Sequence, residues 1–290
     1  MSLIEYTLDG TVNKVDVAIK RLRAFEPPEG YYLAFSGGKD SVTVKALMDL
    51  AGVKYDAHYS VTSVDPPELV QFIKTMPDVS RDIPHDADGK PITMWTLIPQ
   101  HLMPPTRVVR YCCNHLKESS GAGRITVTGV RWAESVRRKK NRNIIDIGAN
   151  KNTAIKLNED NDEARRLMET CYRKKKTLLN PIIDWEDADV WEFIHSYNVP
   201  YCVLYDCGFK RLGCIGCPMS THQSEELERW PKYKAQYIRS FEKMLQVRRD
   251  RGIMSEGWKT GTEVMDWWIH GGSKCTEQID GQTDLWEDET

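Results

Sequence analysis

The chain's absences narrow its class before any motif is read. Across 290 residues no apolar run approaches the roughly 20 needed to span a membrane, so no membrane contact is expected. The N-terminus, MSLIEYTLDGTVNKVDVAIK, carries acids early and lacks an apolar signal core, which argues against export and for the cytoplasm. Neither sign of charge is in excess. Forty Lys and Arg face 42 Asp and Glu, a net charge of −2, which excludes a wholesale nucleic-acid coat but leaves room for a local basic groove. No internal repeat is present. Stable disulfides are rare in a reducing compartment, so the eight cysteines are expected to serve metal or redox chemistry where they cluster. They are Cys112, Cys113, Cys171, Cys202, Cys207, Cys214, Cys217 and Cys275.

What is present alternates. YYLAFS reads as a buried strand, and SVTVKALMDLAG as a helix with apolar Val42, Val44, Leu47 and Leu50, closed by Gly52. YDAHYSVT is a further strand, PPELVQFIKTM a helix with proline at its start, and RITVTGVR a strand bounded by glycines. DWEDADVWEFIHSYNV has the acidic first turn of a helix. Strands alternating with helices predict an α/β fold, an open parallel sheet with helices on both faces. Residues 1–29 form a leader with one amphipathic helix, TVNKVDVAIKRLRAF, stopped by Pro27, Pro28 and Gly30. Residues 30–220 form the α/β domain, interrupted over 141–177 by a polar, asparagine-rich segment expected to run over the surface. Residues 221–290 form a charged helical extension with an acidic tail.

The junction Ser36-Gly37-Gly38-Lys39-Asp40-Ser41 lies at the first strand-to-helix turn, where open parallel sheets receive phosphates. Glycines permit a tight turn, and free N–H groups at the helix start favour an anion. Lys39 adds positive charge, and Ser36 and Ser41 can donate hydroxyl hydrogen bonds. Asp40 would repel phosphate unless a cation such as Mg²⁺ intervenes, which makes it a candidate magnesium contact. The segment does not match the Walker loop G-x-x-x-x-G-K-S/T. It resembles the pyrophosphatase loop of the adenine-nucleotide alpha-hydrolase superfamily. That resemblance implies ATP with its α–β bond over the loop.

Cys112-Cys113 in RVVRYCCNHLKES and Cys214/Cys217 in GCIGCPMS make two thiol pairs. Four thiolates suit tetrahedral zinc or a 4Fe–4S cluster. An adjacent C-C pair is awkward for a zinc knuckle, which favours the larger cluster, and Lys117 and Arg110 can offset its negative charge. Four unligated cysteines are the plain alternative.

In order along residues 29 to 220, YCC-x-x-L-K, TGVRWAES-x-R-R, NPIIDWEDADVWEFI and YDCGFKRLGCIGCP resemble the successive motifs of the phosphoadenosine phosphosulfate reductase family. The resemblance implies cluster ligands at Cys112, Cys113, Cys214 and Cys217, with Lys117 near cluster and substrate. It implies nucleotide or phosphate contacts at Gly129, Arg131, Glu134, Ser135 and Arg138. Arg137, Arg138, Lys139 and Lys140 would then form a basic rim, which Lys174 to Lys176 can extend.

Two departures from the reductases bear on the reaction. Those enzymes carry an altered loop, whereas this chain keeps Lys39 and Asp40, suited to triphosphate and magnesium. They also use a C-terminal cysteine nucleophile in a Glu-Cys-Gly-Leu-His type motif; Cys275, in GGSKCTEQ, is the nearest counterpart and lacks those surroundings. An intact loop with iron–sulfur ligands resembles the ATP-cleaving enzymes of sulfur insertion, including DNA phosphorothioation pyrophosphatases and tRNA thiolation enzymes. The expected function is an adenylating ATP pyrophosphatase of sulfur transfer, with Lys39, Asp40, Arg131 and Lys117 carrying the chemistry. Its partners would be an adenine nucleotide, a DNA or tRNA backbone along 107–110, 137–142 and 173–176, and a sulfur donor such as a cysteine desulfurase. A sulfonucleotide reductase releasing sulfite and a non-catalytic nucleotide-binding accessory protein are the alternatives.

Overall fold

The computed structural model describes residues 3–7, 10–118, 121, 123–134, 139, 142–147, 155–157, 177–253 and 257–270. The chain opens with an antiparallel hairpin, β1 (Ile4–Thr7) and β2 (Gly10–Asn13), followed by α1 (Lys14–Ala24). A single helix was expected from Thr11. Instead Asn13 ends the hairpin and caps α1, its side chain accepting from Val15 N–H at 2.9 Å, so the helix starts at Lys14. Then come β3 (Tyr31–Ala34), α2 (Lys39–Ala51), β4 (Tyr55–Ser60), α3 (Pro67–Lys74), β5 (Val79–Asp82) and α4 (Met94–His101). Gly52 closes α2 in the left-handed conformation, its N–H bonding back to Met48 and Asp49, as its place in the sequence predicts.

A short helix, α5 (Tyr111–Cys113), runs into a π-helical turn over Asn114–Glu118. There follow β6 (Ile125–Val127), β7 (Ile145–Ile147), β8 (Ile155–Leu157), β9 (Thr177–Leu179) and α6 (Asp187–Ser196). Three C-terminal helices end the described chain: α7 (Gln223–Arg229), α8 (Pro231–Asp250) and α9 (Gly261–His270).

Seven strands form one sheet in the order β5-β4-β3-β6-β9-β7-β8. The pairs from β5 through β9 are parallel, which bears out the sequence reading. β7 and β8 are antiparallel. Both lie inside the segment expected to cross the surface. The short run Ile144-Ile145-Asp146 is buried in the sheet, and Asp146 takes an ion pair from Arg142 at 3.2 Å. Three apolar positions in a polar stretch give too brief a pattern to read as a strand.

Topology fixes where a ligand can sit. The chain runs from β3 outward through β4 to β5, then returns to place β6 on the other side of β3. At that reversal the loops after β3 and β6 diverge and open a crevice. Around the sheet, α1 packs on α2 and α2 on α6, while α4 packs on α8 and α8 on α9. The C-terminal helices bring Tyr237, Phe241 and Trp268 into the core. Trp230 and Trp268 are buried, and Trp267 packs edge-on against Trp258, so these rings serve packing. No helix among the described residues is long and apolar enough to cross a membrane.

A buried ion pair locks the hairpin and α1 to α6. Lys14 Nζ meets Asp189 Oδ2 at 2.6 Å, and the same oxygen accepts from Glu186 N–H at 2.8 Å, closing the N-terminus of α6. Asp189 is fully buried, and removing it leaves the buried Lys14 ammonium with only the half-exposed Glu5 carboxylate, 2.8 Å away. Asp189→Ala is expected to lower the unfolding free energy by about 3–5 kcal/mol, read from the urea midpoint at constant slope.

Candidate functional site

The loop that leaves β3 is built around glycine. Gly37 has φ +73°, which disfavours any residue with a side chain, and a Cβ there would lie 2.7 Å from Leu69 Cδ1 and 3.0 Å from Ile73 Cδ1, so those side chains of α3 would have to shift. Gly38 caps α2, and Ser41 Oγ donates to the Gly38 carbonyl at 2.9 Å while accepting from Ser36 N–H at 3.3 Å. Ser36 and Ser41 therefore hold the turn's shape. The first N–H of α2, that of Lys39, donates to the Tyr205 hydroxyl at 2.8 Å. Burial and this position at the helix start act on Tyr205 together, and burial prevails, raising its pKa.

The charges of the crevice are paired. Lys39 is buried, its ammonium 3.5 Å from Asp40 Oδ2 and 3.5 Å from Asp187 Oδ1. Arg131, just after β6, is 1% exposed and donates through Nε to Asp40 Oδ1 at 2.7 Å. Its Nη2 bonds Asp187 and its Nη1 donates to the Trp185 carbonyl at 3.2 Å. Glu134 accepts from Arg131 N–H at 3.1 Å, fixing the backbone after β6. Partial burial alone would lift the Asp187 carboxyl, but hydrogen bonding from Arg131 and the charges of Lys39 and Arg131 hold it below the usual range. Gly129 lets β6 approach α2, since a Cβ there would lie 2.9 Å from the Asp40 carbonyl carbon.

The structure thus joins Lys39, Asp40, Gly129, Arg131 and Glu134. Lys139 is exposed. Ser135, Arg138, Arg137, Lys140, Lys174 to Lys176, Cys171 and Cys275 lie outside the described residues. Asp187 and Tyr205 were not singled out from the sequence. Asp187 was visible only as one acid in a helix's first turn, and Tyr205 gave no signal, since its partner lies 166 residues away.

Beside the loop an open cavity of about 160 Å³ is lined by Ser36, His58, Asp65 and Lys117, among others. At its outer end His58 stacks on Tyr32 with ring centroids 4.3 Å apart, and its Nδ1 lies 2.8 Å from Asp82 Oδ2.

A second, smaller cavity of about 30 Å³ is lined by Cys112, Cys113, Cys214 and Cys217 within an apolar shell that includes Leu116, Tyr237 and Trp268. All four are free thiols. Among the described residues no three or more Cys, His, Asp or Glu side chains converge closely enough to hold a single metal ion. Cys112 hydrogen-bonds Cys113, which pushes the Cys112 thiol up and the Cys113 thiol down; Arg110 reinforces the second effect, its Nη2 lying 3.2 Å from Cys113 Sγ. Burial pushes Cys214 up to about 11 against the opposing charge of Lys117. Lys117 lines both cavities. Lys117 is solvent-exposed, and the nearby Cys214 sulfur raises its ammonium pKa above the usual lysine range against desolvation.

Residues 30–220 match the family model described as the phosphoadenosine phosphosulfate reductase domain. An uncharacterized protein of Methanocaldococcus jannaschii is 26% identical over 245 residues, covering 78% of this chain and 43% of its own length. An adenosine 5'-phosphosulfate reductase of Neisseria meningitidis is 43% identical over 53 residues, 18% of this chain and 22% of the relative. The chain thus spans less than half the length of these curated relatives. Among solved structures, a phosphoadenylyl-sulfate reductase from Candida auris in complex with phosphate aligns with TM-score 0.44 at 14% identity, covering 73% of this chain and 97% of that one. With a domain match over most of its length and the family's motifs in order, this chain belongs to the phosphoadenosine phosphosulfate reductase family.

Proposed function

We propose that this chain is an ATP pyrophosphatase that adenylates an acceptor for sulfur transfer, with a nucleic-acid phosphate as the acceptor and DNA phosphorothioation as the process. The observation that carries this reading is the pairing at the head of α2, where Lys39 and Asp40 share one crevice. A carboxylate in a phosphate cradle is unfavourable alone and useful with a bound cation. Mg²⁺ arriving with a triphosphate would satisfy Asp40 and release Lys39 to the phosphate oxygens.

In the reaction an acceptor oxygen bonds to the α-phosphorus while the bond from that phosphorus to the bridging oxygen breaks. Pyrophosphate leaves with the electron pair as its magnesium salt, and AMP stays on the acceptor. Sulfide from the donor then displaces AMP. Lys39 and the N-terminus of α2 offset the charge that grows on the leaving group. Arg131 holds the Asp40 carboxylate in orientation, and Asp40 and Asp187 limit the cost of burying Lys39.

Cys112, Cys113, Cys214 and Cys217 would hold a 4Fe–4S cluster. What supports this is that four thiols line one apolar cavity, a donor set that suits one thiolate per iron. When bound, such a cluster supplies a carrier for sulfide or electrons. Arg110 and Lys117 contribute the cations that a set of thiolates needs.

A second reading, a sulfonucleotide reductase releasing sulfite, is favoured by the relatives named adenosine 5'-phosphosulfate reductase. The products separate the two: pyrophosphate from ATP supports the first, and sulfite from adenylyl sulfate supports the second. With ATP, Mg²⁺ and DNA, Lys39→Ala is expected to slow pyrophosphate release by about 100-fold or more with an unchanged circular dichroism spectrum; wild-type turnover in the variant would remove the first reading. Gly129→Ala should weaken ATP binding about tenfold, measured by titration calorimetry, because its methyl group displaces the backbone of Asp40. Anaerobically purified protein should contain iron and acid-labile sulfide, which Cys214→Ser should reduce sharply; stoichiometric zinc without iron would overturn the cluster assignment.

A further inference from the structure

The helix that heads the crevice is capped differently from others around the sheet. Asn13 caps α1, and Thr93 caps α4 by accepting from Thr96 N–H at 3.2 Å, each from the position just before its helix. At that position α2 has Gly38, which offers no side chain. Its leading N–H, that of Lys39, is met instead by the Tyr205 hydroxyl at 2.8 Å, from 166 residues away. The hydroxyl lies over Gly38, where a Cβ would be 3.4 Å from it.

Tyr205 is presented by a 3₁₀ turn over Val203–Tyr205, its N–H donating to Cys202 O at 3.1 Å. Its ring packs edge-on against Trp191, with centroids 5.1 Å apart. Trp191 stands one turn beyond Asp187 on α6, and Asp187 is a carboxylate 3.5 Å from the Lys39 ammonium. One aromatic-packed unit therefore holds Lys39 at both ends, with a hydroxyl on its amide and a carboxylate on its ammonium. Those are the two donors that a phosphate at the head of α2 would use.

A phenol holds such a place weakly. Burial raises the Tyr205 pKa, so it meets the N–H as a neutral oxygen. A phosphate oxygen is charged, and charge-assisted hydrogen bonds are roughly twice as strong as neutral ones. We propose that Tyr205 is a specificity-determining residue, whose hydroxyl keeps the place of a phosphate oxygen on the Lys39 N–H and leaves it when a magnesium-bound triphosphate arrives. Any weaker anion must displace the same contact, so the hydroxyl sets an affinity threshold for entry. The claim rests on the nucleotide reading above.

Tyr205→Phe keeps the ring and removes the hydroxyl. Titration calorimetry of the full-length protein with ATP and Mg²⁺ is expected to show about fivefold tighter binding in the variant, because the ligand no longer displaces a hydrogen bond. Orthophosphate should gain by a similar factor. Weaker binding would mean that the hydroxyl stays and donates to the ligand, and unchanged binding that it takes no part; either result overturns the proposal. If the wild-type protein binds no ATP, the functional reading fails by itself, and orthophosphate then decides the Tyr205 claim. Orthophosphate binding strengthened in the variant supports it, and binding unimproved or absent overturns it. Wild-type crystals soaked in orthophosphate give a check that needs no variant. A phosphate oxygen on the Lys39 N–H with the hydroxyl withdrawn supports the claim, and a hydroxyl that keeps its contact overturns it.

Discussion

One guanidinium ties the strand ends of this fold into a single cradle. Arg131 leaves β6, takes Asp40 from the loop after β3, and takes Asp187 from the helix after β9. Three separate crossovers meet at a side chain that is almost completely buried. A buried ion pair costs desolvation, and such a group is retained where its geometry matters more than its net contribution to stability. Here the geometry is the relative placement of a lysine, a carboxylate and a helix terminus. Glycine at 37 and 129 allows the same closeness from the backbone side.

The second organising feature is that two cavities share a wall. The turn Thr62–Asp65, the segment Leu212–Cys214 and Lys117 line the wall between the larger cavity on one side and four thiols on the other. The C-terminal helices complete the thiol side through Tyr237 and Trp268. The helical extension therefore lines the thiol cavity, and its aromatic residues pack the cavity wall.

Much of this was legible in the residues. The alternation of YYLAFS, SVTVKALMDLAG and YDAHYSVT marks strand, helix and strand, because buried parallel strands read as apolar runs and their helices as periodic ones. The loop and the cysteine pairs were visible because their residue types serve no packing purpose at that density. Long-range pairings were not visible. Tyr205 meets the loop across 166 residues, Asp187 looks like any acid in a helix's first turn, and Asp65 sits in a short turn with no periodicity at all. The antiparallel β7 escaped notice because two isoleucines and an aspartate in a polar stretch carry too little pattern, and Arg142 is what allows Asp146 to be buried there. The hairpin before α1 was missed for a related reason, as its outward face carries Tyr6 and Val12 without alternation against a core.

The resting loop is already occupied by its own neighbours. The Tyr205 hydroxyl covers the leading N–H of α2, and two carboxylates face the Lys39 ammonium. Chloride, sulfate or a lone orthophosphate would have to evict these contacts while offering little in exchange. On the proposed reading, a polyanion that brings its own divalent companion replaces them together. On that reading, discrimination against small anions would be set before any base or sugar is touched.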